Sequence, residues 1–98
     1  MPCCRIIVSG KVQGVGFRAF AKRQADSLDI AGWCRNLSTG EVEIMAKGAE
    51  EKIENLTALL RKGPPKARVD AMHVEQAKDC DEYARFEIIA KNTDSGTL

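Results

Sequence analysis

A single histidine, His73, serves all 98 residues. It sits mid-way along an alternating stretch, where it reads as a strand-face residue, so no Ser, His and acid relay can be assembled around it. Aromatics are also scarce: Phe17, Phe20, Trp33, Tyr83 and Phe86 are the whole set. A sheet that stacks RNA bases needs two or three aromatics on one face, and no strand outside a hairpin read between Ala31 and Lys47 offers two in alternation. Charge of one sign is missing too, because 15 Lys and Arg face 14 Asp and Glu for a net +1. Both facts argue against a nucleic-acid partner. No apolar run approaches the ~20 residues that span a bilayer, and Met1-Pro2-Cys3-Cys4-Arg5 does not open a signal peptide. The expectation is a cytoplasmic protein without a membrane partner.

The four cysteines supply no CxxC pair. Cys3 and Cys4 are neighbours, and neighbours in a strand point to opposite faces, so they do not chelate one ion together. No metal site is expected. Cys4 and Cys34 read as small buried hydrophobes. A disulfide among Cys3, Cys4, Cys34 and Cys80 stays open without geometry, and a cytosolic setting disfavours one.

What the chain does contain is an ordinary globular composition, 44% apolar and 30% charged. A chain this long should bury roughly 60–65% of its unfolded surface, enough for one two-layer domain without staples. That domain is expected over residues 1–90, followed by a polar tail, KNTDSGTL, over 91–98. The charge is uneven. Before Asp26 stand Arg5, Lys11, Arg18, Lys22 and Arg23 with no acid, so this stretch is +5. The remainder has ten bases and fourteen acids, or −4. A basic element in a neutral chain suits a small anion better than a long polyanion, although chance clustering of solvated side chains gives the same count.

Cys4 to Ser9 alternates with Cys4, Ile6 and Val8 on one face, as a strand does. Gly10 to Phe17 holds three glycines and no helical period, a loop. Arg18 to Leu28 carries Ala21, Ala25 and Leu28 on one helical stripe. Ala31 to Leu37 and Glu41 to Lys47 form a hairpin across Ser38-Thr39-Gly40, with Val42, Ile44 and Ala46 inward. Glu50 and Glu51 open a second helix whose stripe is Ile53, Leu56 and Leu60, and Gly63-Pro64-Pro65 ends it. Ala67 to Gln76 is a strand with Met72 and Val74 inward, and Phe86 to Ala90 is a last short strand. The order β-α-β-β-α-β, plus the short terminal strand, predicts an α+β fold. It is the ferredoxin-like two-layer sandwich, with two helices on one face of a mostly antiparallel sheet. Many functions use that fold, so function must come from a site.

The glycine loop leaves the first strand and enters the first helix, where backbone N–H groups lack helical partners and the helix end carries about half a positive charge. Gly14 and Gly16 tolerate positive φ, so Gln13 to Arg18 is able to curl its amides inward, with the planar fork of Arg18 on the rim. Together these make a phosphate-sized cradle. It matches neither G-x-x-x-x-G-K-[ST] nor G-x-G-x-x-G, so no nucleotide loop is implied. The plainer alternative is a flexible connection with an incidental Arg. A β-α-β crossover sends the first two strands in one direction, which brings Asn36 to the same sheet edge. Its amide is able to hold a substrate oxygen or a water, and its alternative role is a turn residue bonding its own backbone. No carboxylate pair flanks the loop, a lack that suits a substrate already activated.

Gly10-Lys11-Val12-Gln13-Gly14-Val15-Gly16-Phe17-Arg18 resembles the acylphosphatase signature G-R-V-Q-G-V-x-F-R. Gly32-Trp33-Cys34-Arg35-Asn36 with Gly40-x-Val42 is similar to that family's second motif, G-W-V-x-N with a downstream G-x-V. The similarity runs from about Cys4 to Ala90. Lys11 and Cys34 depart from the commoner residues, and Leu37 stands where some members have Thr. The resemblance implies hydrolysis of the carboxyl–phosphate bond of acyl phosphates to a carboxylate and inorganic phosphate, with no cofactor and no metal. It implies that Arg18 binds the phosphoryl group and that Asn36 positions the attacking water. Gln13, Gly14, Val15, Gly16 and Phe17 match the amide cradle. Inorganic phosphate is then a product and a competitive inhibitor, and the chain is expected to be a monomer. Rival functions are an RNA-binding sheet, disfavoured above, and a phosphate-sensing relic of the family, which the presence of both Arg18 and Asn36 opposes.

Overall fold

A computed structural model describes residues 2–78, 80 and 82–89. Ala90 and the tail at 91–98 lie outside them. The elements are β1 (Cys3–Lys11), α1 (Phe17–Ser27), β2 (Ala31–Asn36), β3 (Val42–Lys47), α2 (Glu50–Lys62), β4 (Arg68–Gln76) and β5 (Phe86–Ile89). The strands form one sheet in the order β4-β1-β3-β2-β5. Every pairing is antiparallel except that of β2 with β5. The ferredoxin-like α+β sandwich expected from the element order is what the chain forms.

Alternation in the strands decides what faces the helices. In register, Cys4 lies opposite Ala46, Ile6 opposite Ile44 and Val8 opposite Val42. Cys34 lies opposite Ile44 across β2 and β3. These side chains meet Phe17, Ala21 and Ala25 from α1 and Ile53, Leu56 and Leu60 from α2 in one core. Each large side chain buried there contributes about 1.5–3 kcal/mol. The α2 stripe, Ala21 and Ala25 of α1 and the inward face of β3 match the sequence pattern, while Leu28 falls just past α1 as its C-cap and is half-buried.

Two expectations need correction. Gly10 belongs to the sheet rather than to the loop, because β1 continues past a bulge between Ser9 and Gly10 to pair Gly10 with Val69 and Lys11 with Arg68. Gly10 holds φ 125, and a Cβ there would run into the Arg68 carbonyl. Val74 shares the helix face with Ile6 but remains 40% exposed. It lies on an edge strand, where it borders an open hollow with Ile53 and Thr57 of α2 instead of being closed over.

The opposite face of the sheet is polar and cross-linked. Glu43, only 3% exposed, receives Arg5 Nε at 2.5 Å and Arg35 Nε at 2.6 Å. Two guanidinium partners are what make a buried carboxylate tolerable. Arg35 also lies over the Trp33 ring, 5.2 Å from its centroid. His73 is exposed on β4 beside Glu75, as a strand-face residue should be.

Cys3 and Cys80 are joined in a disulfide that spans 77 positions, with their Cα atoms 6.6 Å apart. A cytosolic setting disfavours any such bond, and its presence follows from topology. Gln76 at the end of β4 pairs with Cys4, and the Ala77 N–H donates to the Cys3 carbonyl at 2.8 Å, so Cys80 is delivered to the start of β1. Cys4 and Cys34 are buried free thiols, as expected.

Gly32, where β2 meets β3, has φ 140, and a Cβ would collide with the Met45 carbonyl. Gly32→Ala should therefore cost about 2–4 kcal/mol, read as a lower urea midpoint at unchanged slope.

Candidate active site

Between β1 and α1 the chain must reverse within a few residues, and two glycines make that possible. Gly14 has φ 75 and Gly16 has φ 78, both left-handed. A Cβ at either position would meet nothing within 4 Å, so the backbone conformation and not crowding is what asks for glycine. Gly16 is the N-cap of α1, and its carbonyl accepts the first helical bond from Phe20 at 3.0 Å. Among the described residues no side chain caps this end and no acid stands in the first turn. The helix begins with its positive end uncovered.

That end opens onto a cavity of about 210 Å³. It is lined by Gly14, Gly16, Phe17 and Arg18 from the loop and first turn, by Asn36 from the end of β2, and by Ile88 from β5. Asn36 arrives there because β1 and β2 both run antiparallel to the β3 strand between them. A larger hollow of about 420 Å³ borders the disulfide at Cys3, Lys47 and Cys80, but it holds none of the glycine loop.

Arg18 is anchored at both ends. Its Nη1 donates to the Ile89 carbonyl at 3.3 Å, and its own carbonyl accepts from the Cys34 thiol at 3.8 Å. The remaining cations of the basic stretch disperse once folded. Arg5 faces the other side of the sheet with Glu43, and Lys22 binds Asp26 and the Phe86 carbonyl, each at 3.0 Å. One cation lines the cavity, not five.

Five of the expected site residues, Gly14, Gly16, Phe17, Arg18 and Asn36, therefore share one cavity. Gln13 and Val15 do not line it. Val15 packs against the core, and the Gln13 side chain reaches across to the β2–β3 turn. Ile88 and the Ile89 carbonyl were not among the expected site residues. Their place depends on β5 pairing with β2, in the register that sets Ile88 opposite Cys34, and no local pattern in a four-residue strand announces its partner. No group of three or more His, Cys, Asp or Glu able to hold a metal occurs among the described residues.

The architecture defines the class first: a small ferredoxin-like α+β sandwich with its candidate site where the β1–α1 loop faces the end of β2. The model of the Acylphosphatase family matches residues 4–88. The chain is 44% identical over 84 residues to an acylphosphatase of Bacillus licheniformis, covering 86% of this chain and 93% of that one. It is 46% identical over 87 residues to an acylphosphatase of Legionella pneumophila, covering 89% and 94%. The crystal structure of acylphosphatase from Bacillus subtilis superposes with a TM-score of 0.88 at 38% identity, covering 91% of this chain and 99% of that one. The chain belongs to the acylphosphatase family, and its activity is the hydrolysis of acyl phosphates, a reaction at an acid anhydride.

Burial pushes the Cys34 thiol from 9.0 to about 12, against the smaller opposing pull of Arg18 and Lys22. The folded state thus holds the thiol proton more tightly than the unfolded state does. The stability this gives is complete below about pH 9 and declines as pH rises towards 12. At pH 8 Cys34 should resist alkylation in the folded protein and react once urea unfolds it, a difference that mass spectrometry reads directly.

Proposed function

We propose that this hydrolysis needs no metal and is carried by the β1–α1 loop, Arg18 and Asn36. The observation that carries the proposal is that all three face one cavity of about 210 Å³. The phosphoryl group sits on the amides of the loop at Gly14, Gly16 and Phe17 and on the Arg18 guanidinium, at the positive end of α1. A guanidinium has five N–H donors, so the bond to Ile89 steadies Arg18 and leaves its fork for two phosphoryl oxygens. Asn36, one strand away, orients the attacking water through its amide. Water oxygen bonds to phosphorus as the bond to the carboxyl oxygen breaks, and the carboxylate leaves with its electron pair. A phosphoryl oxygen of the substrate takes the water's proton, in keeping with the family resemblance. Charge develops on oxygens already surrounded by fixed donors, so stabilisation is electrostatic and needs little rearrangement. Phe17 and Ile88 give the cavity an apolar side suited to the acyl group. The enzyme acts on a small-molecule acyl phosphate, in the cytoplasm and as a monomer. No helix among the described residues is long and apolar enough to cross a membrane.

The test is phosphate release from acetyl phosphate in the presence of a chelator, which should leave the rate unchanged. Arg18→Lys keeps the charge but loses the fork, and should lower kcat/KM by about 10²–10³-fold. Asn36→Ala should lower kcat by a similar factor while the competitive Ki of inorganic phosphate moves little, because the loop holds the anion. If Asn36 were only a turn residue, its loss would reduce the urea midpoint and leave the folded enzyme fully active.

A further inference from the structure

β1 and β2 are not neighbours in the sheet, since β3 lies between them. Their ends therefore exchange no ladder bonds, although the proposed chemistry needs the loop after β1 and the residue at the end of β2 at a fixed separation. The Gln13 side chain spans the gap. Gln13 Nε2 donates to the Leu37 carbonyl and to the Glu41 carbonyl, both at 2.8 Å. Those two residues close the β2–β3 turn, where the Leu37 N–H donates to Glu41 at 2.8 Å, and they flank the register pair of Asn36 with Val42. An amide NH2 has two hydrogens, and each finds one carbonyl. Gln13 is half-buried and does not line the cavity.

We infer that Gln13 is a positioning residue, a strap that fixes the distance between the anion loop and Asn36. This rests on the role proposed above for Asn36. A hydrogen-bonded amide gripping both sides of the turn restrains its approach to α1, and an error of about 1 Å in such a placement can cost about 10²-fold in rate. The strap acts on the water side of the reaction. Anion binding stays with Gly14, Gly16 and Arg18, which it does not touch.

The experiment compares Gln13→Met, which keeps length and loses both donors, with Asn36→Ala and with the double variant. For Gln13→Met we expect kcat to fall about 10–100-fold and the Ki of inorganic phosphate to stay within about 2-fold. The double variant should be no slower than Asn36→Ala alone, because a strap has nothing to position once Asn36 is gone. A folded Gln13→Met with near-native kcat, beside an impaired Asn36→Ala, overturns the strap. So does a multiplicative loss in the double variant, or a phosphate Ki that rises as kcat falls, which would make Gln13 an anion ligand. An active Asn36→Ala would instead sink the underlying role of Asn36, and is read from that variant alone. If Gln13→Met folds poorly, Gln13→Glu, equal in size and set against two carbonyls, carries the same expectation. Unfolding of both overturns the inference by making Gln13 structural only.

Discussion

The placement of β3 between β1 and β2 is the constraint on which the site depends. Each outer strand runs antiparallel to β3, so the two run alike and finish at the same edge of the sheet. Without that arrangement the glycine loop and Asn36 would lie at opposite ends of the molecule. The crossover that produces it needs α1 to lie across the sheet, and Phe17, Ala21 and Ala25 hold it there in the core. Apolar packing thus sets where a polar reaction takes place. The helix that seals the core through one face presents its N-terminus to the cavity through its end.

The two faces of the sheet solve different problems. The helix side carries the apolar core, with Cys4, Ile6 and Val8 of β1 and Val42, Ile44 and Ala46 of β3 facing the helices. The other side carries a carboxylate, Glu43, gripped by Arg5 and Arg35, with Trp33 under one of those guanidinium groups. This accounts for part of the basic stretch near the start of the chain. A count of charge along the sequence cannot tell a cation that faces a ligand from one that neutralises a buried acid on the far side, because the pleat separates them. Arg5 and Arg18 look alike in the sequence and serve opposite surfaces.

Much of the fold was legible because period and face are local properties. The stripes Ile53, Leu56 and Leu60 or Val42, Ile44 and Ala46 follow from spacing alone. The loop was legible for a similar reason, since closely spaced glycines before a helix announce left-handed backbone at Gly14 and Gly16. What escaped was what strand pairing decides. Gly10 looked like loop because its reason for being glycine is the Arg68 carbonyl on another strand. Val74 looked buried because its pattern names a face but not whether a helix covers it. Gln13 was grouped with the cradle by adjacency, whereas its amide is committed to carbonyls more than twenty positions away. The disulfide required knowing that β4 ends beside the start of β1.

That disulfide also alters the chain's connectivity. From Cys3 to Cys80 the polypeptide is a closed covalent ring, and the loop, Arg18 and Asn36 all lie within it. β5 lies on an arm outside. Tension entering at Cys3 and leaving beyond Cys80 passes through the sulfur bridge and bypasses β1, α1, β2, β3, α2 and β4. It falls instead on the four-residue parallel seam between β5 and β2. The anion loop and Asn36 would stay in place under such a load. The strand that yields first is the one that lends Ile88 to the cavity and a carbonyl to Arg18.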